Sequence, residues 1–279
     1  LNRRQALIRA CDIFQENNIE ESSLEGEILL RHILGIDRAR FFTELDSPIT
    51  ENQVAELMRL VERRRQGEPS AYITGHREFY GLDFTVNQSV LIPRPDTELL
   101  VEKAIDLAKK YNASKIADIG TGCGAIAVSL AVNLDDVKIY AVDISAGALE
   151  VAKENCRKHK VTDKVILLEG DLLRPLPEPV DMIAANLPYV RKTELTPENP
   201  LRYEPQTALD GGEEGLDKIK ELCRQAREKL DKNGIILLEI GDGQADAVID
   251  IVKSIFPVGQ IDIYDDLAGI ERLVAVRLT

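Results

Sequence analysis

The 279 residues are 44% hydrophobic and 30% charged, which provides a sizeable core for one larger and one smaller domain. A formal charge of -13 argues against broad nonspecific binding to nucleic acid or anionic membrane. Cys11, Cys123, Cys156 and Cys223 are widely spaced without a CxxC pair, and His32, His76 and His159 stand apart, so neither a disulfide framework nor a metal site is predicted. No apolar run approaches a membrane span. The opening stretch LNRRQALIRACDIF starts at Leu1 rather than Met and lacks a signal-peptide core. A cytoplasmic, monomeric protein without membrane association is the expectation.

Residues 1–75 read as helices only. Leu7, Cys11 and Phe14 share a helical face. Ser22 with Glu25 has the spacing of a capping box ahead of Ile28, Leu29, Ile33 and Leu34. Thr50 with Gln53 repeats it ahead of Val54, Leu57, Met58 and Val61, and Gly67 and Pro69 stop that helix. Arg59, Arg63, Arg64 and Arg65 fit the last turn of the same helix, where cations complement its dipole. This region is a small bundle of four or five helices.

Residues 76–92 change to short alternating aromatic and β-branched segments, a β-hairpin linker with Gly81 at or near its turn. Residues 93–279 form the larger domain. A helix capped by Asp96 or Thr97 follows the PRPDTE stretch. From about Lys115, apolar strands alternate with helices: KIADIG, VKIYAVD, KVILLEGD, PVDMIAANLP, GIILLEIG, QIDIYDD and ERLVAVRL. The last two have no helix between them. The fold class is α/β: a doubly wound, mostly parallel seven-stranded sheet with a C-terminal antiparallel hairpin, preceded by a small all-α N-terminal domain.

The segment ADIGTGCGAIA places Asp118 at the end of the first sheet strand, before a loop of Gly120, Thr121, Gly122, Cys123 and Gly124 that opens a helix. Glycines let backbone turn tightly and approach a ligand where a Cβ would collide. Asp143 ends the next strand, placed to accept from both hydroxyls of a ribose. Gly120, Gly122 and Ala125 also satisfy the looser dinucleotide pattern, so a nucleotide-type ligand is indicated without its identity. A tight strand-to-helix turn without ligand is the plainer alternative. Asp118 shifts the balance: it would repel a pyrophosphate, whereas S-adenosylmethionine carries a sulfonium and an ammonium group. Asp171 and Leu172, after the third strand, are placed for the edge and face of an adenine. Asp171 alone could equally cap a helix.

The fourth strand runs into Asn186, Leu187, Pro188 and Tyr189 at the carboxyl edge, where such sheets bind ligands. An amide nitrogen is a poor nucleophile because its lone pair is delocalised. The Asn186 side-chain oxygen can accept one of its N–H bonds and the Leu187 carbonyl the other, aiming the lone pair at a methyl group. Pro188 holds Leu187 extended, and Tyr189 can pack on the flat acceptor. No strong general base is required; positioning and electrostatic preorganisation supply the rate. A turn ending a strand is the reading these four residues have in isolation.

Together, AYITGHREFYGLDFTVNQSVLIPRPDTELLVE, DIGTGCGAIA, AVDIS, ANLPYV and YEPQTALDGGEEGLD resemble the release-factor glutamine methyltransferases, from about Tyr72 to the C-terminus. The resemblance implies a methyltransferase sheet and S-adenosylmethionine as methyl donor, without a metal. The implied acceptor is the side-chain amide nitrogen of the glutamine in the GGQ loop of peptide chain release factors. The implied donor-binding residues are Asp118, Gly120, Thr121, Gly122, Cys123, Gly124, Asp143, Asp171, Leu172 and Asn186. Asn186, Leu187, Pro188 and Tyr189 are the implied catalytic and substrate-binding residues. The family usually has Asn-Pro-Pro-Tyr; Leu187 replaces the first proline, and because its carbonyl does the accepting, activity is expected to persist. A glutamine of a ribosomal protein, or an amino group of a nucleic acid base, is the alternative acceptor. A nicotinamide-dependent oxidoreductase and a cofactor-sensing module lie further away.

Three other segments complete the reading. In IPRPDTE, Arg94 is expected to pair with Asp96 or Glu98 and fix the interdomain hinge. YEPQTALDGGEEGLD is either a long surface connection or a loop closing over the acceptor, with Glu204 or Gln206 near the site. The helical domain shows no catalytic residues and suits recognition of a protein partner.

Overall fold

The computed structural model describes residues 1–196 and 200–278. Contacts divide the chain into two compact units, Leu1–His76 and Arg77–Thr279.

The first unit contains α1 (Arg3–Glu16), α2 (Ser22–Leu34), α3 (Arg38–Thr43), α4 (Glu51–Arg65) and α5 (Ser70–Thr74). Thr50 and Gln53 form the expected capping box on α4. The pattern at Ser22 fails. Ser22 is itself the first helical residue, Glu21 occupies the cap position without a side-chain bond, and Glu25 lies 3.0 Å from Arg64 instead. On α1 the buried stripe is Ala6, Ala10 and Phe14, flanked by Leu7 and Cys11. α2 approaches this helix at Gly26, where a Cβ would lie 3.2 Å from both Cys11 Sγ and Leu7 Cδ1. Each arginine of the α4 cluster engages a carboxylate, Arg59 with Glu56, Arg63 with Glu68, Arg64 with Glu25 and Arg65 with Glu62.

Beyond it, β1 (His76–Phe79) and β2 (Leu82–Thr85) make a hairpin. Its two-residue turn, Tyr80 and Gly81, has φ of 51° and 70°. Two left-handed residues match the twist of the flanking strands. Then come α6 (Thr97–Tyr111), β3 (Lys115–Ile119), α7 (Ala125–Asn133), β4 (Lys138–Asp143), α8 (Ala146–Lys158), β5 (Val165–Glu169) and β6 (Val180–Ala185). After a long connection follow α9 (Asp217–Lys229), β7 (Leu230–Glu239), α10 (Ala245–Ile255), β8 (Gln260–Asp265) and β9 (Glu271–Arg277).

The sheet order is β5-β4-β3-β6-β7-β9-β8. The first five are parallel, and β9 pairs antiparallel with both β7 and β8. Side chains alternate across the strands. Ala117 and Ile119 of β3, with Ile183 and Ala185 of β6, share a core with Leu222 of α9 and Val248 of α10. On the other face α6, α7 and α8 follow one another in contact. The strand order reverses between β3 and β6, and a crevice opens at the carboxyl ends of strands at such a point.

Candidate active site at the carboxyl ends of β3 and β6

The glycine loop is held from beneath. Asp118 is fully buried, and its Oδ2 accepts from Thr121 Oγ1 at 2.6 Å and from Ala127 N at 3.0 Å. Its Oδ1 is buried without a partner among the described residues. Burial pushes the Asp118 carboxyl up to about 7, against the pull of those two donors. Gly120, Gly122 and Gly124 have φ of 74°, 56° and 83°, left-handed values that favour glycine. A Cβ on Gly124 would lie 3.3 Å from Ala152 Cβ, so this glycine lets α8 close on the loop. Asp143 accepts from Gly122 N at 2.8 Å and Ser145 N at 2.9 Å, while burial raises its carboxyl above the ordinary range. Burial also pushes the Cys123 thiol up to about 12.

Register delivers the second element. Ile119 pairs with Ala185, so Gly120 and Asn186 leave the sheet side by side. Asn186 Nδ2 donates to Thr97 Oγ1 at 3.0 Å, which leaves the amide oxygen as the end not engaged by Thr97. Leu187 is buried in the sheet core. The following residues are locked to the long connection: Val190 N donates to Leu209 O at 3.1 Å and Gly211 N to Val190 O at 2.9 Å. Gln244 Nε2 donates to the Tyr189 carbonyl at 3.1 Å. Burial, then the nearby Glu239 carboxyl, pushes the Tyr189 phenol up to about 12.

A cavity of about 300 Å³ lies where these elements meet. Of the residues anticipated from sequence, Gly120, Gly122, Asp143, Asp171, Leu172, Asn186, Leu187 and Pro188 line it. Asp118, Thr121, Cys123, Gly124 and Tyr189 are not in its wall; the first four shape or support the loop. Three carboxylates, Asp143, Asp171 and Asp210, face one amine, Lys218. Such a wall disfavours a pyrophosphate and suits a ligand with cationic groups. The other walls are Leu91, Ile144, Pro205 and Ala208, surfaces for a flat aromatic base. These features, with a loop a Cβ would crowd, fit S-adenosylmethionine.

The connection between β6 and α9 does form one wall, through Pro205, Thr207, Ala208 and Asp210. Glu204 and Gln206 do not line the cavity. Glu204 is buried, accepts from Ile92 N at 3.0 Å, and pairs with Arg94. Arg94 therefore does not take Asp96 or Glu98. A buried carboxylate needs a cation more than an exposed one does, while Glu98 accepts from Tyr80 N at 2.8 Å and Asp96 lies 3.7 Å from Arg272.

Several contributors escaped the sequence reading. Ser89, Val90 and Leu91, assigned to the linker, line the cavity. Asn155 is fully buried, donates to Cys123 O and Thr85 O at 2.9 Å, and accepts from Thr85 N at 2.8 Å. It thus ties the glycine loop to the hairpin. Its signal was legible: an asparagine on the apolar face of α8, in line with Ala148, Val151 and Ala152. Thr97 and Glu239 signalled more faintly, as a hydroxyl opening a helix and an acid closing an apolar strand.

Among the described residues no group of three or more His, Cys, Asp or Glu could hold a metal ion, and no helix is long and apolar enough to cross a membrane. All four cysteines are free.

The doubly wound sheet, its glycine loop and the acid that ends β4 define a methyltransferase of the S-adenosylmethionine-dependent class. A ribosomal protein L11 methylase from Lactobacillus delbrueckii subsp. bulgaricus shares this fold, with a TM-score of 0.52 at 18% identity over 70% of this chain and 84% of that one. Residues 5–75 match the family model of the PrmC N-terminal domain, and residues 95–199 that of the methyltransferase small domain. The release factor glutamine methyltransferase of Moorella thermoacetica is 40% identical over 272 residues, 96% of each chain. That of Geobacter sulfurreducens is 39% identical over 268 residues, 94% of this chain and 92% of its own. The chain belongs to the release factor glutamine methyltransferase family.

Proposed function

We propose that the protein transfers a methyl group from S-adenosylmethionine to the side-chain amide nitrogen of the glutamine in the GGQ motif of peptide chain release factors. The observation that carries this reading is that Asn186 opens on the cavity lined by Gly120, Gly122 and Asp143, with its amide nitrogen already held by Thr97. The family membership supports the acceptor.

S-adenosylmethionine supplies an electrophilic methyl group. Gly120 and Gly122 would admit it close to the backbone, Asp143 would accept from its ribose hydroxyls, and Asp171 and Leu172 would hold its adenine. Asp118, Thr121, Cys123 and Gly124 keep the loop in shape. The Asn186 oxygen accepts one N–H of the incoming glutamine amide and the Leu187 carbonyl the other. Holding both N–H bonds turns the nitrogen lone pair toward the cavity and supplies much of the rate as positioning. Pro188 keeps Leu187 extended, so replacing the family's usual proline by Leu187 preserves the acceptor. Tyr189 packs behind the clamp and excludes water. The proton leaving the methylated nitrogen passes to the same acceptors or to water. Residues 1–75 recognise the release factor, since one glutamine side chain offers little specificity.

The test is incubation with labelled S-adenosylmethionine and, separately, a release factor, ribosomal proteins, DNA and RNA. Label is expected on the release factor and should vanish when its GGQ glutamine is replaced. Label confined to nucleic acid would overturn the reading.

A further inference from the structure

Behind Asn186 runs a buried polar chain that methyl transfer does not by itself require. Asn186 Nδ2 donates to Thr97 Oγ1 at 3.0 Å. Thr97 is the first residue of α6 and is buried. Burial raises the carboxyl of Glu239, the last residue of β7, to about 7, and the neighbouring Thr97 hydroxyl pulls it back down, as a donor to the charged form does. Sheet register produces this meeting. Ala185 pairs with Leu238 in parallel, so the next residues, Asn186 and Glu239, leave the sheet as neighbours.

Glu239 is only 3% exposed, and its Oε2 has no hydrogen-bond partner among the described residues. The charged and titratable groups around it are Asp96, Arg272, Arg94 and Tyr189. An acid so poorly satisfied is costly to bury. A hydrophobic residue would fill the same place at less cost, unless the carboxylate does something for its neighbours.

Proton bookkeeping indicates what it does. A threonine hydroxyl has one proton to donate. Where that proton goes to the Glu239 carboxylate, Thr97 Oγ1 is left able only to accept from Asn186. An asparagine amide has one donor end and one acceptor end. Giving its NH2 to Thr97 therefore turns its oxygen to the other side. Without Glu239 the Thr97 proton is free to go to the Asn186 oxygen. The amide then turns over and presents its NH2, which opposes the N–H bonds of an incoming amide instead of accepting them.

We infer that Thr97 and Glu239 are positioning residues for methyl transfer, fixing the Asn186 amide so that its oxygen meets the acceptor nitrogen. The inference rests on the clamp role proposed above for Asn186.

The test compares wild type with Thr97→Val, Thr97→Ser, Glu239→Leu, the Thr97→Val/Glu239→Leu double variant and Asn186→Ala. Methyl transfer to a purified release factor is measured, together with S-adenosylmethionine affinity and melting temperature on the same preparations. Thr97→Val and Glu239→Leu are each expected to lower kcat about 10- to 100-fold, the scale of a small misplacement of a reacting group. KM and donor affinity should stay within about twofold, since neither residue lines the cavity. The double variant should be no worse than either single one, because both act through the same amide. Thr97→Ser, which keeps the hydroxyl, should restore kcat to within about threefold of wild type. Wild-type turnover in Thr97→Val and Glu239→Leu, with Asn186→Ala inactive, would overturn the inference and leave the clamp standing. Losses that multiply in the double variant, or that appear equally in donor affinity, would overturn it as well. If Glu239→Leu does not fold, the Val and Ser variants of Thr97 decide alone. Wild-type turnover in Asn186→Ala would remove the clamp reading and this inference with it.

Discussion

Gly211 packs so tightly on Pro188 that a β-carbon at residue 211 would fall 2.7 Å from the Pro188 carbonyl oxygen and 2.8 Å from Tyr189 Cα. Gly215, at φ +75°, leaves no room for a side chain against the Tyr189 carbonyl. The polar connection is thus moulded onto the strand ending that carries Asn186.

Gly211→Ala should therefore force the two segments apart. Overpacking of this kind costs roughly 1–3 kcal/mol, and denaturant unfolding should register it. Turnover should fall further than donor affinity, because the displaced atoms belong to the acceptor side. An alanine variant with wild-type stability and turnover would show that the close fit has no consequence.

Asn186→Ala removes the side-chain acceptor and leaves the cavity wall otherwise intact. Loss of one preorganised group of this kind lowers turnover by about 10²- to 10³-fold. S-adenosylmethionine affinity, measured by calorimetry, should change by no more than about threefold. Equal losses in both would mean that Asn186 chiefly holds the donor.

Asp143→Ala should act on binding instead. Hydrogen bonds to charged groups contribute about 1.5–3 kcal/mol each, so affinity for S-adenosylmethionine should fall by at least about tenfold. Part of the loss comes from the loop itself, since Gly122 N and Ser145 N lose their acceptor. Unchanged affinity would contradict the ribose role.

Asp118 makes the stability of the ligand-free protein depend on pH. Its folded value of about 7 lies above that of an unfolded aspartate, so the folded state holds the proton more tightly. That contribution is complete below about pH 4, declines as pH rises, and is gone above about pH 7. Asp118→Asn should flatten the decline by up to about 1.4 kcal/mol per pH unit, the limit for one proton. Urea unfolding of both proteins between pH 4 and pH 8 measures it, and parallel curves would refute the assignment.

The parts of the site legible in sequence are those whose position follows from one strand and the turn after it. Asp143 and Asn186 end apolar strands, and the glycines between Asp118 and Ala125 announce a loop with unusual backbone. What escaped depends on which strands become neighbours. Glu239 meets Asn186 only because β7 lies beside β6, and Arg94 meets Glu204 across 110 positions of chain. Local patterns also compete with distant partners: the Ser22 and Glu25 spacing fits a cap, yet Arg64 claims the carboxylate. The linker was read as a connection because nothing in Ser89, Val90 and Leu91 announces a cavity wall.

Leu187 Cδ2 stands 3.3 Å from the point a β-carbon of residue 120 would occupy. The glycine loop and the acceptor clamp therefore share one pocket of space. Residue 120 is held to glycine by its left-handed backbone as well as by this crowding, so residue 187 is the one that can change, and the smaller proline there would loosen a wall of the loop. The history of these two positions is expected to be lopsided, a fixed glycine facing a neighbour that exchanges leucine for smaller residues.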